Sequence, residues 1–217
     1  MIDKYIPKDK YLLGFPNAGG GFYETPDLVL KGALLKQVYL GELDGVKTFR
    51  LQSITTMFEQ AHIKVDIPNN ILHWLWKQFS LNAAISTMTM KTGGAEALIS
   101  NLSNLQEAVY CIREALSVCQ ARGVELRSFS DARAFFLPSW IAALGFWFTL
   151  KSNKPQSEIF KKYNCVEEIQ YVYKDLIKTA AELEVSVPRL NSMNSYVCAL
   201  HRRPPKHPKR QEGIQDR

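Results

Sequence analysis

From Pro68 onward the sequence follows the period of an α-helix, and this limits the fold more than any other feature. The run "NNILHWLWKQFSLNAAISTMTM", Asn69 to Met90, is rich in apolar residues, with Asn69 or Asn70 placed to cap it. Beyond Gly93-Gly94, residues Leu98, Leu102, Leu105, Val109, Ile112, Leu116 and Cys119 advance by alternating fours and threes. That spacing predicts one amphipathic helix from about Glu96 to Arg122, stopped by Gly123. Further helices are expected over Pro138 to Leu150, Val166 to Leu183 and Val187 to Leu200, the last with Pro188 in its first turn. A helical domain of about 130 residues follows from the pattern.

The first 68 residues differ in kind. "YLLGF", "QVYLGEL" and "IKVDIP" are short, rich in Val, Ile and Tyr, and bounded by turn residues, so they read as strands. Between the last two, "RLQSITTMFEQA" has Ile54, Met57, Phe58 and Ala61 at helical spacing. Strands alternating with a helix point to part of an α/β sheet, but three short strands leave edges unpaired. The front of the sheet is therefore expected to be missing. "GFPNAGGGF", Gly14 to Phe22, reads as a glycine loop after the first strand. It lacks the third glycine of G-x-G-x-x-G, and no G-x-x-x-x-G-K-[ST] occurs, so it cannot cradle a phosphate unaided.

Charge adds little. Residues 201–217 hold six Lys/Arg against two Asp/Glu, which accounts for four of the chain's six net positive charges. This tail has three prolines and no apolar periodicity, so it is expected to be disordered. It also lacks the aromatics of a stacking platform, which argues against a nucleic-acid partner. Cys111, Cys119, Cys165 and Cys198 show no C-x-x-C spacing, and the four histidines make no zinc set, so no metal is expected. Reduced thiols without a secretory signal suggest the cytoplasm. "FFLPSWIAALGFWFTL", Phe135 to Leu150, is too short and interrupted to span a membrane and reads as a buried core helix.

Few residues suggest chemistry on pattern alone. Gln78, Asn82 and Ser86 fall at i, i+4 and i+8, one polar stripe on an apolar helix, which suits either a pocket wall or a solvated strip. Lys77 lies about 100° round the helix and falls outside that stripe. Glu167 and Glu168 open a helix, where carboxylates are stabilising without any catalytic role. Arg113 and Glu114 are expected to form local ion pairs.

The run "GELDGVKTFRLQSITTMFEQAHIKVDIPNNILHWLWKQFSLNAA", Gly41 to Ala84, resembles the centre of the ketopantoate reductase (2-dehydropantoate 2-reductase) family. Members look like G-E, a turn, an Arg, a helix ending in A-G-I, a short strand, then a helix with L-W-x-K-x-x-x-N. "REALSVCQARGVEL" and "AAELEVSVPRL" are similar to that family's helical domain, and the likeness runs from about Lys10 to Leu190. It implies a mainly α fold: a helical substrate and dimerisation domain of the 6-phosphogluconate-dehydrogenase-like C-terminal type, preceded by a partial α/β, Rossmann-like segment. The implied domains are 1–68 (the end of a dinucleotide-binding domain, its glycine-loop half absent), 69–200 (all-helical) and 201–217 (basic tail).

The resemblance also implies roles. Asn17 and Gly19 fall where the family's late loop approaches the nicotinamide, so the glycines read as what is left of a cofactor site. Aligned without a gap, Gln78 stands at the family's general-acid lysine, Asn82 at its first asparagine and Ser86 at its second. Lys77 takes over only if the helix register shifts. Glu168, counted back from Val187-Pro188, coincides with the glutamate that binds the substrate hydroxyl. The implied activity is NADPH-dependent reduction of a 2-keto acid, ketopantoate to pantoate in pantothenate biosynthesis. Gln at the lysine position and the absent glycine loop should impair it, or make it depend on a chain that supplies the missing half. The alternative is a non-catalytic helical dimerisation or interaction module, with a homodimer as the implied assembly.

Overall fold

The computed structural model describes residues 4–24, 28–152 and 165–198. The basic tail and the end of the expected last helix lie outside the described residues. After a 3₁₀ turn at Lys8–Lys10 come β1 (Leu13–Glu24), β2 (Leu28–Gly41), α1 (Phe49–Gln60) and β3 (Lys64–Asp66). The helical part follows as α2 (Ile71–Thr92), α3 (Ala95–Ser100), α4 (Leu102–Ala121), α5 (Ser130–Ala134), α6 (Ser139–Ser152), α7 (Val166–Glu182), α8 (Pro188–Ser192) and α9 (Asn194–Cys198). The fold is mainly α with a small three-stranded sheet, as the sequence pattern predicts.

The glycine cluster is not a loop. Gly14 to Phe22 lies within β1, which pairs antiparallel with β2 from Leu13↔Gly41 to Glu24↔Leu28. The second strand is also longer than expected, reaching back from Gln37 to Leu28. Glycines are poor strand formers, but pairing along the apolar run "LVLKGALLKQVYL" satisfies their backbone groups and overrides the local preference. The register shifts between Pro16 and Ala18, so Asn17 stands at an irregularity of the ladder. β2 pairs in parallel with β3 over Gln37 to Tyr39.

Caps mark the helices. The Asn70 side chain accepts the His73 N–H at 3.0 Å, and Gly93 ends α2 in the left-handed conformation. The single helix expected from Glu96 to Arg122 is broken at extended Asn101, whose side chain accepts the Ser103 N–H at 2.9 Å. Asn competes with the helix through this local bond, so the leucine periodicity continues across a break it cannot report. The last expected helix is likewise divided, at Met193, into α8 and α9. Among the described residues, Arg113 and Glu114 form no local ion pair. Arg113 Nε donates to the Phe135 carbonyl at 2.7 Å, and Glu114 accepts the Arg189 and Leu190 N–H groups that open α8.

The main core lies between α2 and α4, with Met88, Leu98, Leu105, Ile112, Leu116, Leu176 and Leu190 fully buried. A small second core holds Val38, Leu40 and Leu51 beneath the sheet. The two meet at the start of α2: Trp74 stacks on Tyr39 at 3.9 Å between ring centroids, and Phe15 tilts against it at 5.3 Å. α6 corrects one expectation. It packs through Ala142, Ala143 and Leu150, but Trp140, Leu144 and Phe148, one turn apart, stand exposed, so it is no buried core helix.

Candidate functional site

Asn17, Gly19, Lys77, Gln78, Asn82, Ser86 and Glu168 line one cavity of about 1530 Å³, while Glu167 does not. β1 contributes Asn17 and Gly19, α2 contributes Lys77, Gln78, Asn82 and Ser86, and α7 contributes Glu168. Sequence positions as far apart as 17 and 168 thus converge because α7 packs along α2 while β1 meets α2 at its first turns. The cavity is larger than the ~300–1,000 Å³ of a single small-ligand pocket. Phe15, Trp74, Phe79, Phe129, Phe135 and Phe146 give it aromatic walls.

On α2 the polar stripe is real and joined: Gln78 Nε2 donates to Asn82 Oδ1 at 3.0 Å. That bond uses one of Gln78's two amide protons and leaves the Asn82 amide protons for other acceptors. Ser86, a turn further, is buried. The helix is continuous from Ile71 to Thr92. Lys77 nevertheless lines the same cavity as Gln78. Its side chain is almost wholly buried, and its Nζ pairs with Asp131 Oδ2 at 2.5 Å.

A network on the face of the sheet opposite Val38 and Leu40 orients Asn17. Asp66 can only accept, so it draws the Gln37 amide nitrogen, which donates to Oδ2 and, at 3.3 Å, to the Tyr39 hydroxyl. The Gln37 carbonyl oxygen therefore turns to Asn17 and accepts from its Nδ2 at 3.0 Å. Lys64 completes the chain with a contact of 2.9 Å to Asp66. Burial alone would raise the Asp66 carboxyl, but the bonds from Gln37 and Lys64 outweigh it and hold the group below its ordinary value. Burial, then the negative Asp66, raises the Tyr39 phenol, which stays neutral.

Asp131, Tyr39 and Gln37 are site residues that the pattern did not indicate. For Asp131 a weak signal exists in "SFSDARA": Ser and Asp before a short helical run mark a helix start. Gln37 and Tyr39 show only as ordinary strand residues. Among the described residues, no group of His, Cys, Asp and Glu could hold a metal ion, and no helix is long and apolar enough to cross a membrane.

No family model and no curated protein matches the chain. Solved structures do. The 2-dehydropantoate 2-reductase of Geobacter metallireducens superposes at a TM-score of 0.64 and 14% identity, covering 92% of this chain and 64% of its own. The dimeric ketopantoate reductase of Staphylococcus aureus gives 0.59 and 13%, covering 93% and 63%. A ternary structure of D-mandelate dehydrogenase with NADH and anilino(oxo)acetate gives 0.63 and 15%, covering 91% and 62%. The chain spans less than two thirds of each of these proteins. Over nine tenths of its own length, it has the fold of the ketopantoate reductases.

Proposed function

We propose that the chain forms the substrate side of an NADP-dependent reductase of 2-keto acids, of ketopantoate-reductase type. The observation that supports this most is the meeting of Asn17, Gln78, Asn82, Ser86 and Glu168, from three separated stretches, at one cavity. The residues present suit the nicotinamide end of the cofactor. Gly19 and the oriented Asn17 amide stand at the wall, where a flat amide-bearing ring could approach backbone closely. They do not suit its pyrophosphate, because the backbone of Gly19, Gly20 and Gly21 is paired with β2.

When bound, the cofactor supplies the hydride. The chain's own residues orient the ketone. Gln78 and Asn82 offer amide N–H groups to its oxygen, and Glu168 accepts from a substrate hydroxyl. Gln78 has no ionisable proton to deliver, so general-acid catalysis is weaker by about 10²–10⁴-fold than with lysine there. NADP rather than NAD, ketopantoate as the keto acid and a cytoplasmic site follow the family resemblance, the last supported also by four free thiols.

An NADPH titration followed by cofactor fluorescence tests the reading. The expected result is weak binding by the 217-residue chain alone, restored when a nucleotide-binding half is supplied in trans. Binding of neither NADPH nor ketopantoate under both conditions would end it.

One observation favours a second reading, a helical self-association module. Trp140, Leu144 and Phe148 form an exposed apolar face along α6, and Phe136 and Leu137, just before it in the chain, are exposed as well. A patch of that kind on a monomer marks an interaction surface. Sedimentation should then show a dimer that Trp140→Glu dissociates, indifferent to nucleotide.

A further inference from the structure

The cavity wall holds a charged pair that neither reading uses. The Lys77 side chain is 3% exposed, while that of its partner Asp131 is 53% exposed. Lys77 Nζ also lies 5.1 Å from the Trp74 ring and 5.2 Å from the Phe129 ring. An ammonium has three protons to donate. Asp131 takes one, and no second oxygen is bonded to Nζ among the described residues. The aromatic faces favour the cation but do not satisfy its protons.

The two ends of the pair are unequally committed. Lys77 stands on a helix of 22 residues, while Asp131 stands on one of five, between a 3₁₀ turn at Leu126–Ser128 and α6. A buried ammonium cannot be left without a counter-charge. A half-exposed carboxylate can be released to water at little cost. Any other carboxylate that enters the cavity therefore competes with Asp131 for the same cation.

We propose that Lys77 is the anion receptor of the cavity and that Asp131 is a resident stand-in, displaced by the carboxylate of a 2-keto acid. The ligand class rests on the reductase reading, and the exchange rests on the geometry of the pair. In a 2-keto acid the carboxylate and ketone sit on adjacent carbons. The ammonium that takes the carboxylate thus keeps an N–H for the ketone oxygen, beside Gln78. The exchange returns to the ketone the cation that Gln78 lacks.

Calorimetric titration of the full chain with 2-oxoisovalerate, and with isovalerate as the same skeleton without the ketone, tests this. Asp131→Asn removes the competitor and keeps the shape, so both acids should bind about tenfold more tightly than to the wild type. Unchanged or weaker binding overturns the proposal and leaves Asp131 as a structural partner of Lys77. If both acids bind equally and both gain in Asp131→Asn, the exchange stands while the 2-keto acid reading falls. If only 2-oxoisovalerate binds, and Asp131→Asn does not strengthen it, the exchange falls while that reading stands. Hydrogen exchange on the wild type gives a check that needs no variant. 2-Oxoisovalerate should protect residues 74–86 and speed exchange in 128–134 as Asp131 lets go. Protection of both segments, or no saturable binding of either acid to wild type and variant, overturns it.

Discussion

Glu42 shows how one side chain can hold a junction. It is buried, accepts from Thr48 Oγ1 and Arg50 Nε, and pairs with Arg50 Nη2. Arg50 in turn donates to the carbonyls of Asp9 and Tyr11, tying the chain before β1 to α1. The G-E and Arg of the sequence motif are thus a structural clamp. Glu42→Gln should lower the urea midpoint of unfolding, because it removes the charge partner of Arg50 and weakens the clamp between the chain before β1 and α1. The Arg50 hydrogen bond holds the Glu42 carboxyl below its ordinary value against burial, which acts the other way. A group depressed in the folded state stabilises above its unfolded pKa, so this contribution is present at neutral pH and lost as pH falls through the folded value. Acid unfolding of Glu42→Gln should be correspondingly less steep.

His62 makes the opposite case. It follows α1 at φ +58°, where Ile63 N–H reaches the Phe58 carbonyl and His62 N–H the Glu59 carbonyl. This is a left-handed cap usually made by glycine. His62→Gly should stabilise by about 0.5–1 kcal/mol in the same assay. Burial raises the thiols of Cys111 to about 12 and Cys119 to about 11. A thiol reagent should therefore label at most Cys165 and Cys198 in the native chain and all four cysteines in denaturant.

At the scale of elements, what the sequence shows depends on how local the cause is. The caps at Asn70, Gly93 and Gly123 and the first-turn Pro188 act within one turn of chain, and each stands where the pattern puts it. The hairpin does not, because β1 is held by residues of β2 and not by its own glycines. Gly41 belongs to this scale too: a Cβ there would lie 2.7 Å from the Ile71 Cβ, where β2 passes the start of α2. Gly41→Ala should force the two elements apart and cost about 1–3 kcal/mol, with the loss visible as reduced protection of β2 in hydrogen exchange. α6 shows the limit from the other side. Its apolar residues run all round the helix, so composition cannot say which face is covered.

The whole molecule is organised by the cavity where the two cores meet. On the reductase reading, Gln78→Lys in a chain complemented with a nucleotide-binding half should raise kcat by about 10²–10⁴-fold, the share of general-acid catalysis lost there. The sequence by itself determined the helical majority, the caps at Asn70, Gly93 and Gly123 and the polar stripe of α2, because spacing along one chain segment decides them. Only the tertiary structure decided that the glycines pair as a strand, that Lys77 and Gln78 share one cavity, and that Asp131 reaches Lys77. Those outcomes depend on contacts between segments far apart in the chain, whose free energies leave no periodic trace in either segment.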